Sequence, residues 1–326
     1  MTQVKCRMCG ANALSTVCRI DAPGREGEFR ACAECEAWSF FPEGSAPTYA
    51  PEYYGRGITR VGGLAGWIRS RCAVERANRV RKVAGSTGSC LDIGCGDGTF
   101  LCTMARSGWE VAGTELPGPA FDRSRARLGS RIREASEFPS AWSGAQLDAI
   151  TLWQVFEHLD HPTNVLESCR NLLRPGGWLM LGVPNPDSWQ SRWGGQHWLH
   201  LDSPRHLHLE GPEGLKRAVE RCGFEVVRVF HPWAEYGVIG WVQTALNRFG
   251  WRRDGFFESL CQRENPQWSE TLAAAAVLPG ATLAAIAEAL ARRAATYEIF
   301  CRLGTSARES LSPVGSAGNT VDSHRL

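Results

Sequence analysis

The sequence carries almost no excess of charge: 36 lysines and arginines against 34 aspartates and glutamates leave a formal +2. A chain that grips a nucleic-acid backbone needs a basic surplus, so the composition argues against a nucleic-acid partner. It lacks a basic stretch followed by an apolar run near its start, so no secretory signal is read there. It also lacks an uninterrupted apolar run of spanning length. The nearest approach, Thr271 to Ala291, is mostly alanine, contains Glu288 and is interrupted by Pro279-Gly280. It reads as two short buried helices, and no stable membrane insertion is expected.

Cysteine is what the chain has in excess, with 13 in 326 residues. This length suits one large α/β domain and a smaller module. A chain of this size with no export signal is not a disulfide scaffold, and a reducing, cytoplasmic location fits the count. Nine cysteines are scattered through core-like segments, where a free thiol behaves as a small hydrophobe. The other four form two pairs, Cys6-x-x-Cys9 and Cys32-x-x-Cys35, with 22 residues between them. Each pair can sit on a tight turn with both thiolates facing one point, and two such turns close a tetrahedral structural Zn2+ site. A redox dithiol is the competing reading. A module this small buries little apolar surface, so the metal would supply much of its folding free energy.

Five regions follow. Residues 1–45 are the expected zinc ribbon. Residues 46–84 are a Pro/Gly/Tyr-rich linker and a helix with six basic residues on one face, read as a solvated surface. Residues 85–232 alternate strand and helix patterns, which implies an α/β fold: a Rossmann-like, mostly parallel seven-stranded sheet with helices on both faces. Residues 233–303 read as a helical C-terminal insertion followed by the last strand, TYEIFCRL. Residues 304–326 form a polar tail expected to be disordered.

The segment LDIGCGDGTFL, Leu91 to Leu101, places Gly94, Gly96 and Gly98 between an apolar strand and a helix. Glycines there let the backbone turn sharply and approach a ligand at the positive end of a helix. A second strand ends at Glu115, about 20 residues on, where a carboxylate can accept from ribose hydroxyls. Asp92 stands just before the loop and could hold a ligand's ammonium group or the loop's own amides. A dinucleotide site fits less well, because the third glycine comes one residue early for G-x-G-x-x-G.

LDIGCGDGTFL with Glu115 resembles the cofactor signature of class I S-adenosylmethionine-dependent methyltransferases. The run DAITLWQVFEHLDHPTNVLESCRNLLRPGGWLMLGVPNPDS adds to the likeness. Its EHL and LLRPGG elements are similar to those of ubiquinone-type O-methyltransferases and of many sugar and natural-product methyltransferases, some of which also carry an N-terminal zinc ribbon. The likeness covers about Ala84 to Phe230. It implies that Gly94, Gly96 and Gly98 wrap the amino-acid part of S-adenosyl-L-methionine. Glu115 would bind its ribose, Leu116 would lie against adenine, and Gln154 beside the methionine portion.

Open α/β sheets bind ligands beyond the carboxyl ends of their strands. That edge carries Gln154 to His158 and the insert WQSRWGGQHWLHLDSPRHLHL, rich in tryptophan and histidine. Such a surface suits a sugar or ring-shaped small-molecule acceptor. An oxygen nucleophile needs a base; His206 is the first candidate and His158 the second. Each could instead be a buried histidine that caps backbone groups. The expected activity is O-methylation of a sugar or natural-product scaffold. C- or N-methylation of a nucleotide-linked sugar and a zinc-ribbon RNA methyltransferase are the alternatives, and the helical insertion could form a homodimer contact.

Overall fold

A computed structural model describes residues 4–22, 24–43, 63–234, 236–261 and 267–304 of the chain. Most of the linker and nearly all of the polar tail lie outside these residues. The N-terminal part forms strands β1 (Leu14–Ile20), β2 (Gly27–Cys32) and β3 (Trp38–Pro42). After helix α1 (Gly63–Ala84) come β4 (Ser89–Ile93), α2 (Thr99–Arg106), β5 (Glu110–Glu115), α3 (Pro119–Leu128), β6 (Ile132–Glu134) and β7 (Leu147–Trp153). Then follow α4 (Pro162–Leu172), β8 (Leu173–Pro184), α5 (Trp189–Gly194), β9 (His208–Leu209), α6 (Pro212–Arg221) and β10 (Phe224–Phe230). The chain continues through α7 (Tyr236–Arg248), α8 (Gly255–Leu260), α9 (Trp268–Leu290) and β11 (Thr296–Leu303).

The large sheet has seven strands in the order β10-β11-β8-β7-β4-β5-β6. The pairs β4–β5, β5–β6, β4–β7 and β7–β8 are parallel, while β11 is antiparallel to both its neighbours. Strands in such a sheet are buried on both sides and read as continuous apolar runs. Alternation along them splits the core: Leu91, Ile150, Leu179 and Ile299 face α4 and α6, while Cys90, Ala149, Met180 and Phe300 face α1 and α2. The strand order reverses between β4 and β7, and their carboxyl ends open the crevice where such sheets bind ligands.

Three features go beyond the sequence reading or differ from it. Strand β8 begins at Leu173, so all of LLRPGG but its first leucine belongs to the strand, and α4 ends at Leu172. Strand β9, in the tryptophan- and histidine-rich insert, pairs with β3 and makes the ribbon a four-stranded sheet. The ribbon is therefore stitched into the body. Lastly, α9 is one continuous helix through Pro279, not two short ones. Proline removes one helical hydrogen bond, from its own position to the carbonyl of Ala275. Ala275 and Pro279 are both exposed, so water can replace that bond.

Helix α9 is also exposed along much of its length, with Trp268, Leu283 and Leu290 each more than two-thirds accessible. Its two carboxylates point inward: Glu270 receives Arg252, and Glu288 accepts from the Gln190 amide and the Trp241 indole. By length and composition alone, α9 is apolar enough to cross a membrane.

Candidate active site

The loop after β4 uses glycine for a backbone reason. Gly94, Gly96 and Gly98 have φ of 70°, 58° and 76°, the left-handed region that other residues enter at a cost. Around Gly96 no atom lies within 4 Å of where a Cβ would stand, so the loop leaves room for a ligand there. The Gly96 amide donates to Glu115 Oε2 at 2.6 Å, and the Leu116 amide donates to Oε1 at 3.0 Å. Glu115 thus ties the loop to the end of β5 while keeping further lone pairs. Burial pushes its carboxyl above the usual range.

Asp92 accepts from the Thr151 hydroxyl at 2.6 Å, and burial pushes it up to about 7. The loop amide at Gly96 goes to Glu115, not to Asp92. Asp97 pairs with Arg69 of α1 at 2.6 Å and with Arg127 of α3 at 3.4 Å, so helices on both sides brace the loop. Arg76 of α1 lies over the Trp153 ring at 5.0 Å. An open glycine turn flanked by two buried carboxylates fits a ligand that carries an ammonium group and a ribose.

Gln154 follows β7 with φ of 57°, a strained value for a residue with a side chain, and its amide donates to the Gly182 carbonyl at 2.8 Å. Its side of the crevice opens into a cavity of about 180 Å³. Glu157 and His158 line it from the β7 side, and His200, Asp202, Arg205 and His206 from the insert. Tyr236 of α7, with Asp254, Phe257 and Glu258 at α8, close the far wall.

The structure brings both candidate bases together, with ring centroids 4.7 Å apart. His158 Nδ1 sits 2.9 Å from the Arg205 carbonyl, and His206 Nδ1 sits 2.7 Å from the His200 carbonyl. A carbonyl only accepts, so each ring carries its proton on Nδ1 and its lone pair on Nε2. Burial lowers both rings, His158 to about 4 and His206 well below the usual imidazole value, so both are neutral at pH 7. His206 Nε2 lies 3.7 Å from Asp202 and 3.9 Å from Glu157. Burial favours the neutral form of Asp202, but the cations nearby, Arg205 foremost and Arg25, outweigh it and bring it down to about 2. Glu157 is the opposite case: both its oxygens are buried without a hydrogen-bond partner among the described residues, and burial pushes it up to about 8.

Glu157, His200, Tyr236 and the α8 carboxylates had no assigned part in the sequence reading. Adjacency to His158 was the one available signal for Glu157. Nothing in the sequence links α8 to this cavity, since about 100 residues separate it from β7.

In the ribbon, Cys6 Sγ lies 3.5 Å from Cys35 Sγ, and Cys9 Sγ lies 3.6 Å from Cys32 Sγ. All four sulfurs fall within 4.8 Å of one another. Zn–S bonds of about 2.3 Å in a tetrahedron place sulfurs about 3.8 Å apart, so the donor set fits zinc. Both knuckles share one turn: the Gly10 amide donates to the Cys6 carbonyl and the Glu36 amide to the Cys32 carbonyl. Cys18 lies outside this cluster.

A protein family described as a methyltransferase domain matches residues 65–229. The chain belongs to it. The methyltransferase is 29% identical over 157 residues to a ubiquinone biosynthesis O-methyltransferase of Cereibacter sphaeroides, covering 44% of this chain and 64% of that protein. It is 34% identical over 101 residues to the protein of the same name from Paraburkholderia phymatum, covering 29% of this chain and 44% of that one. It spans less than two-thirds of the length of these relatives. A solved S-adenosylmethionine-dependent methyltransferase of Archaeoglobus fulgidus is 19% identical, with a TM-score of 0.47 over 72% of this chain and 94% of that one.

Proposed function

We propose that this methyltransferase transfers the methyl group of S-adenosyl-L-methionine to a hydroxyl of a small polar acceptor, a sugar or polyhydroxylated natural-product scaffold. The observation that carries this reading is the cavity beside Gln154. Among the described residues its lining is imidazole, carboxyl, phenol, amide and guanidinium groups, with only Leu199 and Phe257 wholly apolar. Such a wall offers hydrogen bonds to several hydroxyls and one or two faces for a ring. Oxygen as the acceptor atom follows the name of the relatives.

The cofactor, when bound, supplies a methyl group on a positively charged sulfur, so alignment can provide much of the rate. Gly94, Gly96 and Gly98 would wrap its amino-acid part, with Asp92 accepting from the ammonium group. Glu115 would accept from the ribose, Leu116 would lie against adenine, and Gln154 beside the methionine portion. His206 Nε2, unprotonated at pH 7, would take the acceptor's hydroxyl proton and so ready its oxygen for the methyl group that the bound cofactor would supply. Asp202 stabilises the imidazolium formed, and His158 fixes the position of the ring. The four cysteines would hold a structural Zn2+ as thiolates, and a reducing cytoplasm would keep the other nine as free thiols.

C- or N-methylation of a nucleotide-linked sugar is the alternative. Among the described residues Arg205 is the single lysine or arginine in the cavity lining and already pairs with Asp202, which argues against a diphosphate clamp. A second reading of the same groups rests on one observation: Glu157, His158 and His206 each bring a ligand atom within 4.8 Å of the others. They could hold a divalent cation that binds the acceptor oxygen. Titrating Mg2+ or Mn2+ into zinc-loaded protein separates the readings, since heat lost in His206→Ala would favour the cation.

The deciding assay incubates the protein with methyl-labelled cofactor and a panel of glycosides and phenols. A labelled glycoside ether is expected. His206→Ala should lower its formation at least 100-fold while affinity for S-adenosylhomocysteine stays within twofold. Label on carbon or nitrogen, read from the product's mass and proton spectrum, would transfer the assignment to the alternative.

A further inference from the structure

The ribbon touches the body at more than its zinc knuckles. Its second apolar cluster is shared property: Ile20, Phe29 and Phe40 of the ribbon pack with Trp198, Leu201 and Leu209 of the insert. The backbone carries the link further. The Phe40 amide of β3 donates to the Leu207 carbonyl, and the Leu207 amide donates to the Glu157 carbonyl, each within 2.9 Å. Two hydrogen bonds therefore run from the ribbon sheet to the residue beside His158, passing the neighbour of His206.

The hairpin between β1 and β2 reaches the other wall of the same cavity. Arg25 Nη1 lies 2.5 Å from Asp254 Oδ2, and Nη2 lies 3.3 Å from Glu258 Oε1. Arg25 is four-fifths buried and Asp254 is nearly inaccessible, so this contact is shielded from solvent. A fork spanning two carboxylates fixes both in one geometry, as a lysine's point charge would not. The Arg25 carbonyl also accepts from the Ser203 hydroxyl at 2.9 Å, one residue from Asp202. One ribbon residue therefore joins α8, which forms one side of the cavity, to the insert, which forms the other.

We propose that the zinc ribbon is a working part of the acceptor site, with Arg25 as the positioning residue that holds the α8 wall against the insert. This rests on the reading that the cavity beside Gln154 takes the acceptor. The cofactor loop is bonded elsewhere, to Glu115 and to the arginines of α1 and α3. Ribbon and cofactor loop are therefore separable: loosening the first changes the acceptor wall and leaves cofactor binding alone.

The test compares hydrogen exchange in zinc-loaded, full-length wild type, Arg25→Met and Arg25→Lys, with zinc content and S-adenosylhomocysteine affinity measured on each. Arg25→Met should speed exchange at least tenfold in peptides covering 199–206 and 250–261. Arg25→Lys should show a smaller increase. Zinc content and S-adenosylhomocysteine affinity should match the wild type in both. Unchanged exchange in these peptides would overturn the proposal, and so would loosening that spreads to 91–101 with loss of cofactor affinity. If Arg25→Met does not fold, Glu258→Gln weakens the same fork and should loosen the same two segments. The underlying reading fails separately: His206→Ala that still transfers methyl would sink it while leaving the exchange result intact.

Discussion

Gly94 and Gly96 share a loop and a backbone conformation, yet their surroundings differ. A Cβ on Gly94 would stand 2.5 Å from Val155 Cγ2, whereas one on Gly96 would meet nothing within 4 Å. Gly94→Ala must therefore displace packed side chains at about 1–3 kcal/mol, besides its left-handed strain. Gly96→Ala carries mainly the strain, about 1 kcal/mol, and puts its methyl where the ligand would lie. Thermal denaturation should show the larger loss for Gly94→Ala. Calorimetry with S-adenosylhomocysteine should show affinity down at least tenfold for Gly96→Ala despite its near-native melting. Wild-type affinity in Gly96→Ala would mean the turn is not the cofactor's cradle. The glycines and Glu115 were legible because strand, loop and helix are contiguous in sequence. His206 and His158 were legible as candidates from their position at the sheet edge. Their shared cavity with Asp254 and Glu258 was not, because it joins segments that only tertiary packing brings together.

Among the elements, strands and helices of the sheet followed their apolar periodicity closely, and the misreadings fell where long-range partners decide. Strand β9 is two residues long and has no strand pattern of its own; β3 recruits it through Trp38 and Ser39. Helix α9 looked interrupted because Pro279-Gly280 is a strong local stop signal, but α7 alongside it supplies the packing that continues the helix. Its attachment depends on a buried acid. Burial pushes Glu288 up to about 7, although the Gln190 amide and the Trp241 indole both favour its charged form. The folded-state value lies above the unfolded one, near 4.5. The associated stability is therefore complete below pH 4.5 and is lost as pH rises through about 7, up to about 3 kcal/mol. Glu288→Gln cannot ionise, so its melting temperature relative to wild type should climb between about pH 4.5 and pH 7 and level off above that. A difference that stays flat over that range would show that Glu288 is ionised in the folded protein throughout.

At the scale of the whole molecule, α9 is an inverted surface helix, and the inversion bears on assembly. A helix of 23 residues is about 35 Å long, and between Trp268 and Leu290 its accessible face holds no charged side chain. Soluble surfaces rarely leave an apolar strip of that extent uncovered. A second copy of the chain would match such a face. Two such faces packed about a two-fold axis oppose apolar to apolar, with Glu270 and Glu288 of each turned into its own subunit, so no like charges meet. Sedimentation equilibrium should show a concentration-dependent dimer, and Leu283→Glu with Leu290→Glu should make it monomeric. These leucines are 71% and 81% accessible, so S-adenosylhomocysteine affinity and melting temperature should hold in the variant. A wild type that stays monomeric at the highest concentrations, yet co-floats with lipid vesicles through the same leucines, would assign the strip to a membrane surface instead.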